Sequence, residues 1–484
     1  MTISPLPDAA AEVTDPIPLV VDIDAFFGID VIVESVMSLV RESPRMLLHL
    51  PRWLARGRVG VGQGLAHERT SGDFRCDSPD LLAYLQDQKR QGRQLVLRAS
   101  RGSGAPPAVV GDVGFLKALF RADGNSGSDD LVPECEAPLI KFGVRGYDYL
   151  GTCRGDSGVW GNARSVLPVA PSRALLRRLA ARATVTRIFA RRTGKLSDYL
   201  QSLRPLHWIK NLLLLVPIGA AHRLPDAKLA AELLLAWLAF SLCCSSIYLL
   251  NDLFDLQSDR RRPDTKERPL ASGRIRPVVA LISLTVLLLA AFALGSQLPL
   301  GFTGAMAAYY VLNCLYSIRW KQVPVLDVLA LASGYVLRVV AGSYVVGITP
   351  SAWLIALCVF LFLSLALIKR YAELVLVQSS APGDVPVRGY LTSDASLIAS
   401  EGIASGYVAV LVLALYTNSP MAEQLYARHG LFWVICLLLL YWINYLWLMA
   451  RRAKLPHDPV VFALKDRTSR WLIVAMGVTI LCAL

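Results

Sequence analysis

Four side chains in the middle of the chain have the types and spacing for work on phosphate. Asn251, Asp252, Asp255 and Asp259 lie in the run from Tyr248 to Arg260, Tyr-Leu-Leu-Asn-Asp-Leu-Phe-Asp-Leu-Gln-Ser-Asp-Arg. Asn251, Asp255 and Asp259 are spaced i, i+4, i+8, so a helix would place them with Asp252 on one face. Three converging carboxylates would repel one another without a cation. Hard oxygen ligands at this density suit Mg2+, which binds through a few carboxylates together with substrate phosphates. Lys266 and the turn Arg268-Pro-Leu-Ala-Ser-Gly273 follow at once. Basic groups beside a carboxylate-held metal would clamp a diphosphate.

Further charged groups recur beside apolar segments. Tyr316, Arg319, Lys321 and Asp327 precede or open a segment that carries Arg338 between Gly334 and Gly342. Asp327 and Arg338 are about three helical turns apart, so both can face the same interior. A guanidinium inside a membrane span needs an anionic partner or a polar cavity. Lys369-Arg370-Tyr-Ala-Glu373 closes another apolar segment, and Lys465-Asp466-Arg467 opens the last. Each of these two could equally be an ordinary positive anchor at a membrane surface.

The elements that must position these groups are membrane helices. The chain has 484 residues, 54% hydrophobic and only 18% charged, with a mean hydropathy of +0.45. This composition excludes a disordered chain, a collagen and a disulfide scaffold. The nine cysteines form no CxxC pair, which argues against a disulfide framework or a zinc site. Residues 1–16 read as disordered, without the basic n-region and apolar core of a signal peptide. Nine apolar segments of spanning length follow residue 200: 206–222, 229–249, 278–296, 299–317, 327–346, 351–368, 402–418, 431–450 and 467–484.

Loops after the even-numbered segments hold most of the Lys and Arg; those after odd-numbered ones hold only Arg223, Lys228 and Arg428. The asymmetry predicts a multi-pass protein of the inner (cytoplasmic) membrane, N-terminus inside and C-terminus on the opposite side. Much of the net charge of +13 falls in these loops and in a basic stretch predicted as a linker helix over 171–200. Residues 17–170 alternate short apolar runs with helical periodicity and predict a soluble α/β unit with a parallel sheet. No P-loop, dinucleotide fingerprint or basic stacking platform points to nucleic acid. A homo-oligomer is compatible with the sequence.

The motif Asn-Asp-x-x-Asp-x-x-x-Asp-Arg, followed by Arg-Pro-Leu-Ala-Ser-Gly, resembles the UbiA superfamily of intramembrane prenyltransferases over roughly residues 200–484. The resemblance implies an all-α bundle of nine helices around a cavity, the aspartates near its cytosolic end. Leu203-Arg-Pro-Leu-His-Trp-Ile-Lys-Asn211, Ser333-Gly-Tyr-Val-Leu-Arg338, Lys369-Arg-Tyr-Ala-Glu373 and Leu464-Lys-Asp-Arg467 look like the decaprenyl-phosphate phosphoribosyltransferase branch. That branch joins phosphoribosyl diphosphate to a polyprenyl phosphate and releases diphosphate. Aromatic-acceptor members usually carry a second aspartate-rich motif, where this chain has only Asp327 and Arg338.

The resemblance implies Mg2+ held by Asn251, Asp252, Asp255 and Asp259, with Asp327 the remaining catalytic acid. Tyr248, Arg260, Lys266, Arg268 and Tyr316 become substrate contacts. Lys210, Lys321, Arg338, Lys369 and Arg370 become phosphate ligands, with the phosphate each one meets left open. Two other readings stand beside this one: transfer of a prenyl chain from its diphosphate to an aromatic or other acceptor, and a non-catalytic lipid-binding scaffold.

The leading unit resembles the haloacid-dehalogenase-like hydrolases, in which an Asp-x-Asp motif after the first strand supplies a nucleophile and an acid/base. Asp22 and Asp24 fit that motif, and Asp156 fits one of two later metal carboxylates. The motif-two hydroxyl falls on Ala99 with Ser100 one place off, and the phosphate-holding Lys falls near Glu134, with Lys141 out of register. The resemblance therefore implies a degenerate domain without phosphatase activity.

Overall fold

The computed structural model describes residues 17–22, 29–56, 61, 79–98, 131–132, 141–153, 157–190, 194–222, 224–380, 384–455 and 458–484. The chain forms two compact units. The first comprises Met1–Asp198 and Asp255–Val279, the second Tyr199–Phe254 and Ala280–Leu484.

In the first unit, β1 (Leu19–Asp22), β2 (Leu95–Arg98), β3 (Leu131–Val132), β4 (Asp148–Gly151) and β5 (Ser165–Pro168) make one parallel sheet, ordered β3-β2-β1-β4-β5. β1 pairs residue for residue with β2 from Leu19↔Leu95 to Asp22↔Arg98. The central strands are short continuous apolar runs because helices cover both faces of such a sheet. Leu19, Val20, Val21, Leu150 and Val166 are fully buried. The strand order reverses between β1 and β4, and Asp22 ends β1 there, where open α/β sheets bind ligands.

Helices α1 (Ile29–Glu42) and α2 (Pro79–Arg90) follow β1 and precede β2. The helix expected through the basic linker ends early: α3 spans only Arg173–Ala180. Beyond it Val185 and Phe189 bridge in parallel to Val166 and Val169. The β-branched Thr184-Val-Thr186 favours extension, and burial of Phe189 against Tyr84 rewards it.

The longer helices after residue 226 are α4 (Ala227–Arg261), α5 (Pro277–Gly295), α6 (Leu300–Ile318), α7 (Leu326–Val346), α8 (Ala352–Ser380), α9 (Ala395–Thr417), α10 (Phe432–Arg451) and α11 (Arg467–Ala483). Among the described residues six segments are long and apolar enough to cross a membrane: Ala227–Arg261, Pro277–Gly295, Leu326–Val346, Ala352–Gln378, Thr392–Thr417 and His429–Arg451. The expected count of nine is not reached by that measure. The first expected segment breaks into a 3-10 stretch, Pro205–Leu215, and one short helix, Val216–Ala220. In α6, Tyr309, Tyr310, Asn313 and Tyr316 dilute the apolar character, and α11 has only 17 residues.

The 3-10 stretch matters for the site. Arg204 starts it in the left-handed region at φ 52°, and its chain then lies directly on α7. A Cβ at Gly342 would come within 2.1 Å of the Leu214 carbonyl oxygen, so only glycine allows this approach. That contact brings Asn211 to Arg338.

Candidate active site

α4 runs unbroken from Ala227 to Arg261, so the Asn-Asp-x-x-Asp-x-x-x-Asp motif is helical as expected. In the second unit Asp252 is 4% exposed and paired with Arg204. Asn251 Oδ1 accepts from Lys321 Nζ at 3.4 Å. In the first unit Asp255 faces Arg41 Nη1 at 3.3 Å, and Asp259 accepts from Arg268 Nη1 at 2.7 Å. Each aspartate of the motif thus has an arginine against it. Among the described residues no three His, Cys, Asp or Glu side chains gather into a metal cage. The donor set still fits Mg2+, which takes one or two carboxylates and completes its shell with water and substrate phosphate.

Within the second unit a chain of contacts leads on from Asp252 and Arg204. Arg204 stacks over Tyr248 at 5.2 Å, and Tyr248 lies 5.4 Å from the His207 ring. His207 approaches Asp458, which pairs with Lys210. Lys210 lies 5.9 Å over Tyr335, and Arg338 lies 5.5 Å from the same ring. Burial alone would push the Asp458 carboxyl up. The nearby Lys210 and Lys369, with a hydrogen bond from Lys210, outweigh it and hold that carboxyl below its ordinary value. Lys369 itself makes no hydrogen bond or ion pair among the described residues.

Arg338 is 5% exposed inside α7. Its Nε donates to Asn211 Oδ1 at 2.9 Å, Nη1 to the Gly334 carbonyl at 2.7 Å and Nη2 to Tyr309 Oη at 2.7 Å. These acceptors orient the guanidinium but carry no charge. Among the described residues no carboxylate pairs with it.

Asp327, expected to share an interior with Arg338, points elsewhere. It accepts from Arg370 Nε at 2.8 Å and from Tyr390 Oη at 2.8 Å. Asp327 and Arg370 are both fully buried. Arg370 also pairs with Glu373, which Arg388 approaches at 3.4 Å, and Arg388 donates to Tyr316 Oη at 3.1 Å. Tyr316 and Arg370 therefore belong to a closed ion network. Lys266 is exposed. Arg260 donates to both oxygens of Glu34, at 2.9 and 2.7 Å.

Sequence reasoning placed Arg204 in the Leu203–Asn211 motif without giving it a role, and did not single out Asp458, Glu34 or Arg41. Asp458 left one local signal: an acid before Pro459 and an apolar helical run, which is a helix start. Its Oδ1 accepts from the Val460 and Val461 amides. Glu34 and Arg41 left none, because their partners are remote in sequence.

At the end of β1, Asp22 is 4% exposed. It accepts from Tyr149 Oη at 2.7 Å and ion-pairs with the fully buried Arg98 at 3.5 Å. The carboxylate lies beneath these two side chains. Asp24 and Asp156 lie outside the described residues.

Residues 213–462 match the profile described as the UbiA prenyltransferase family, more than half of the chain. An uncharacterized protein of Sinorhizobium fredii, y4nM, is 30% identical over 95% of this chain and 89% of its own length. Nodulation protein NoeC of Azorhizobium caulinodans is 32% identical over 58% of this chain and 91% of its own. A decaprenyl-phosphate phosphoribosyltransferase of Mycolicibacterium smegmatis is 33% identical over 38% of this chain and 58% of its own.

Proposed function

The chain belongs to the UbiA prenyltransferase family, a family of membrane-embedded transferases, and on that premise we propose that it moves a 5-phosphoribosyl group from phosphoribosyl diphosphate to a polyprenyl phosphate, releasing diphosphate. The name of the mycolicibacterial relative supports this donor and acceptor. The observation that carries the reading is the state of Asp327. Its charge is balanced by Arg370 in a fully buried pair. Arg370 is itself fully buried and cannot turn aside as the partly exposed Arg204 and Arg268 can, so Asp327 is less available to the second metal of an aromatic-acceptor site than Asp252 and Asp259 are to the first. Cations gather at the site instead: Arg204 is balanced by Asp252 and Lys210 by Asp458, while Arg338 and Lys369 have no paired carboxylate among the described residues.

That surplus suits two phosphate-bearing substrates. The lipid phosphate must approach the anomeric carbon of a donor that already carries a diphosphate and a 5-phosphate. Two unit charges 4 Å apart interact by about 4 kcal/mol at an effective dielectric of 20, so uncompensated repulsion would slow the encounter. Lys210, Lys369 and Arg338 would offset it. A phosphate is already ionised at neutral pH, so the nucleophile needs no general base. Asn251, Asp252, Asp255 and Asp259 would hold Mg2+, which when bound neutralises the diphosphate and makes it a better leaving group. Arg204 and Arg268, now on Asp252 and Asp259, would turn toward its oxygens. The apolar helices would bury the polyprenyl tail.

The leading unit is, on this reading, a haloacid-dehalogenase-like domain that has lost its hydrolysis. Burial of Asp22 under Arg98 and Tyr149 supports that assignment of role.

The test uses purified full-length protein in nanodiscs with labelled phosphoribosyl diphosphate, decaprenyl phosphate and Mg2+. Lipid-soluble label and released diphosphate should appear in equal amounts, and only when the lipid phosphate is present. Consumption of a polyprenyl diphosphate on an aromatic acid, with no phosphoribosyl transfer, would overturn the reading.

A further inference from the structure

We propose that α1 of the α/β unit is a positioning element for the aspartate motif, acting through Asp30, Glu34 and Arg41. The consequence for turnover rests on the function proposed above; the mechanical part does not. The three residues are spaced 30, 34 and 41, which puts them on one face of the 14-residue helix. That face reads acid, acid, base. Within the same unit it meets base, base, acid on the segment Asp255–Val279.

Each contact is specific. Glu34 takes both Nη groups of Arg260, and both side chains are 7% exposed. Asp30 accepts from Arg276 Nε at 2.9 Å and Nη2 at 2.7 Å. Its other oxygen accepts the Val278 amide at 3.1 Å, so an acid from α1 sits on the first turn of α5. Arg41 reaches Asp255 at 3.3 Å. Asp30 and Glu34 are also nearly excluded from water, and burial pushes the Glu34 carboxyl above its ordinary range against the pull of Arg260.

The partners lie where leverage is greatest. Arg260 and Asp255 belong to the last two turns of α4, the rigid helix that carries Asn251 and Asp252. Within the first unit, fixing that end holds Asp255 and Asp259, the last two carboxylates of the motif. Arg276 closes the loop that holds Arg268 on Asp259. A bidentate Arg–carboxylate pair is directional, so it holds an angle as well as a distance. The unit that carries a carboxylate sealed under Arg98 would thus keep a mechanical role in the transferase. Asp30, Glu34 and Arg41 are positioning residues.

The experiment uses the full-length protein in nanodiscs. Hydrogen–deuterium exchange over 255–279 is compared in wild type, the Asp30→Asn/Glu34→Gln double variant, and the swap Glu34→Arg with Arg260→Glu. Exchange there should rise about tenfold in the double variant and fall back in the swap. KM for phosphoribosyl diphosphate should rise about tenfold in the double variant, with KM for decaprenyl phosphate unchanged. Unchanged exchange overturns the proposal whatever reaction the protein catalyses. Faster exchange with wild-type kinetics overturns it too, because the contact would then hold nothing the site needs. If exchange also rises in β1 and β4 the double variant has unfolded. Arg41→Gln then decides, by a raised KM for the donor that Arg41→Lys restores, or by none. A wild type without phosphoribosyl transfer sinks the proposed function alone, since exchange still reads the clamp.

Discussion

Asp327 offers the sharpest test of how the charges are arranged. Replacing it by Asn removes the anionic partner of a guanidinium that is fully buried. Breaking one side of a buried ion pair costs about 3–5 kcal/mol. Arg370 keeps Glu373, but Glu373 is shared with Arg388, so the lower end applies, about 3 kcal/mol. For a unit of this size that corresponds to a fall in Tm of about 6 to 12 °C. The pair acts as a unit, so Asp327→Leu with Arg370→Met should recover most of the loss, because an apolar isostere replaces both charges. The assay is thermal unfolding in detergent by fluorescence-detected size exclusion, beside an Mg2+ titration of turnover. Asp327→Asn should melt early yet keep the wild-type Mg2+ midpoint at a permissive temperature. A variant with unchanged Tm and a lost Mg2+ response would refute the reasoning, since Asp327 would then be a metal ligand.

Three further expectations follow from the same geometry. Asp252→Asn should lower turnover about 10²–10³-fold, as removal of one electrostatic stabiliser does, with folding retained; steady-state kinetics beside the melting curve check it. Arg98→Met should destabilise the α/β unit by about 3–5 kcal/mol, and adding Asp22→Asn should relieve most of that, read by exchange protection of β1 and β2. Burial raises the Asp148 carboxyl, but hydrogen bonds from Arg164, Ser165 and Arg93 bring it below its ordinary value. Its stabilisation is therefore present above the unfolded value near 3.9 and is lost as pH falls through the lower folded value. Asp148→Asn should weaken β4 and β5 at pH 7 and flatten the acid loss, seen in exchange rates corrected for intrinsic pH dependence.

The helical motif at the end of α4, the central strands of the parallel sheet and six of the nine apolar segments were legible in the sequence. Each depends on neighbours within a turn or two. The span count was less legible, because apolar content alone does not reveal that Pro205–Leu215 winds as a 3-10 stretch packed on α7 through Gly342. The Arg173–Lys195 stretch misled for a similar reason: its second half is drawn to the sheet edge by Val185 and Phe189.

By itself the sequence determined which residues bring charge into an oily chain and which of them share a helix face, since composition and periodicity are local. Only the tertiary structure decided which charge answers which. Arg204 meets Asp252 across 48 residues, Arg260 meets Glu34 across 226, and Lys210 meets Asp458 across 248. Coulomb attraction between such groups is felt at a few ångströms, and nothing but the packing of distant segments sets that distance.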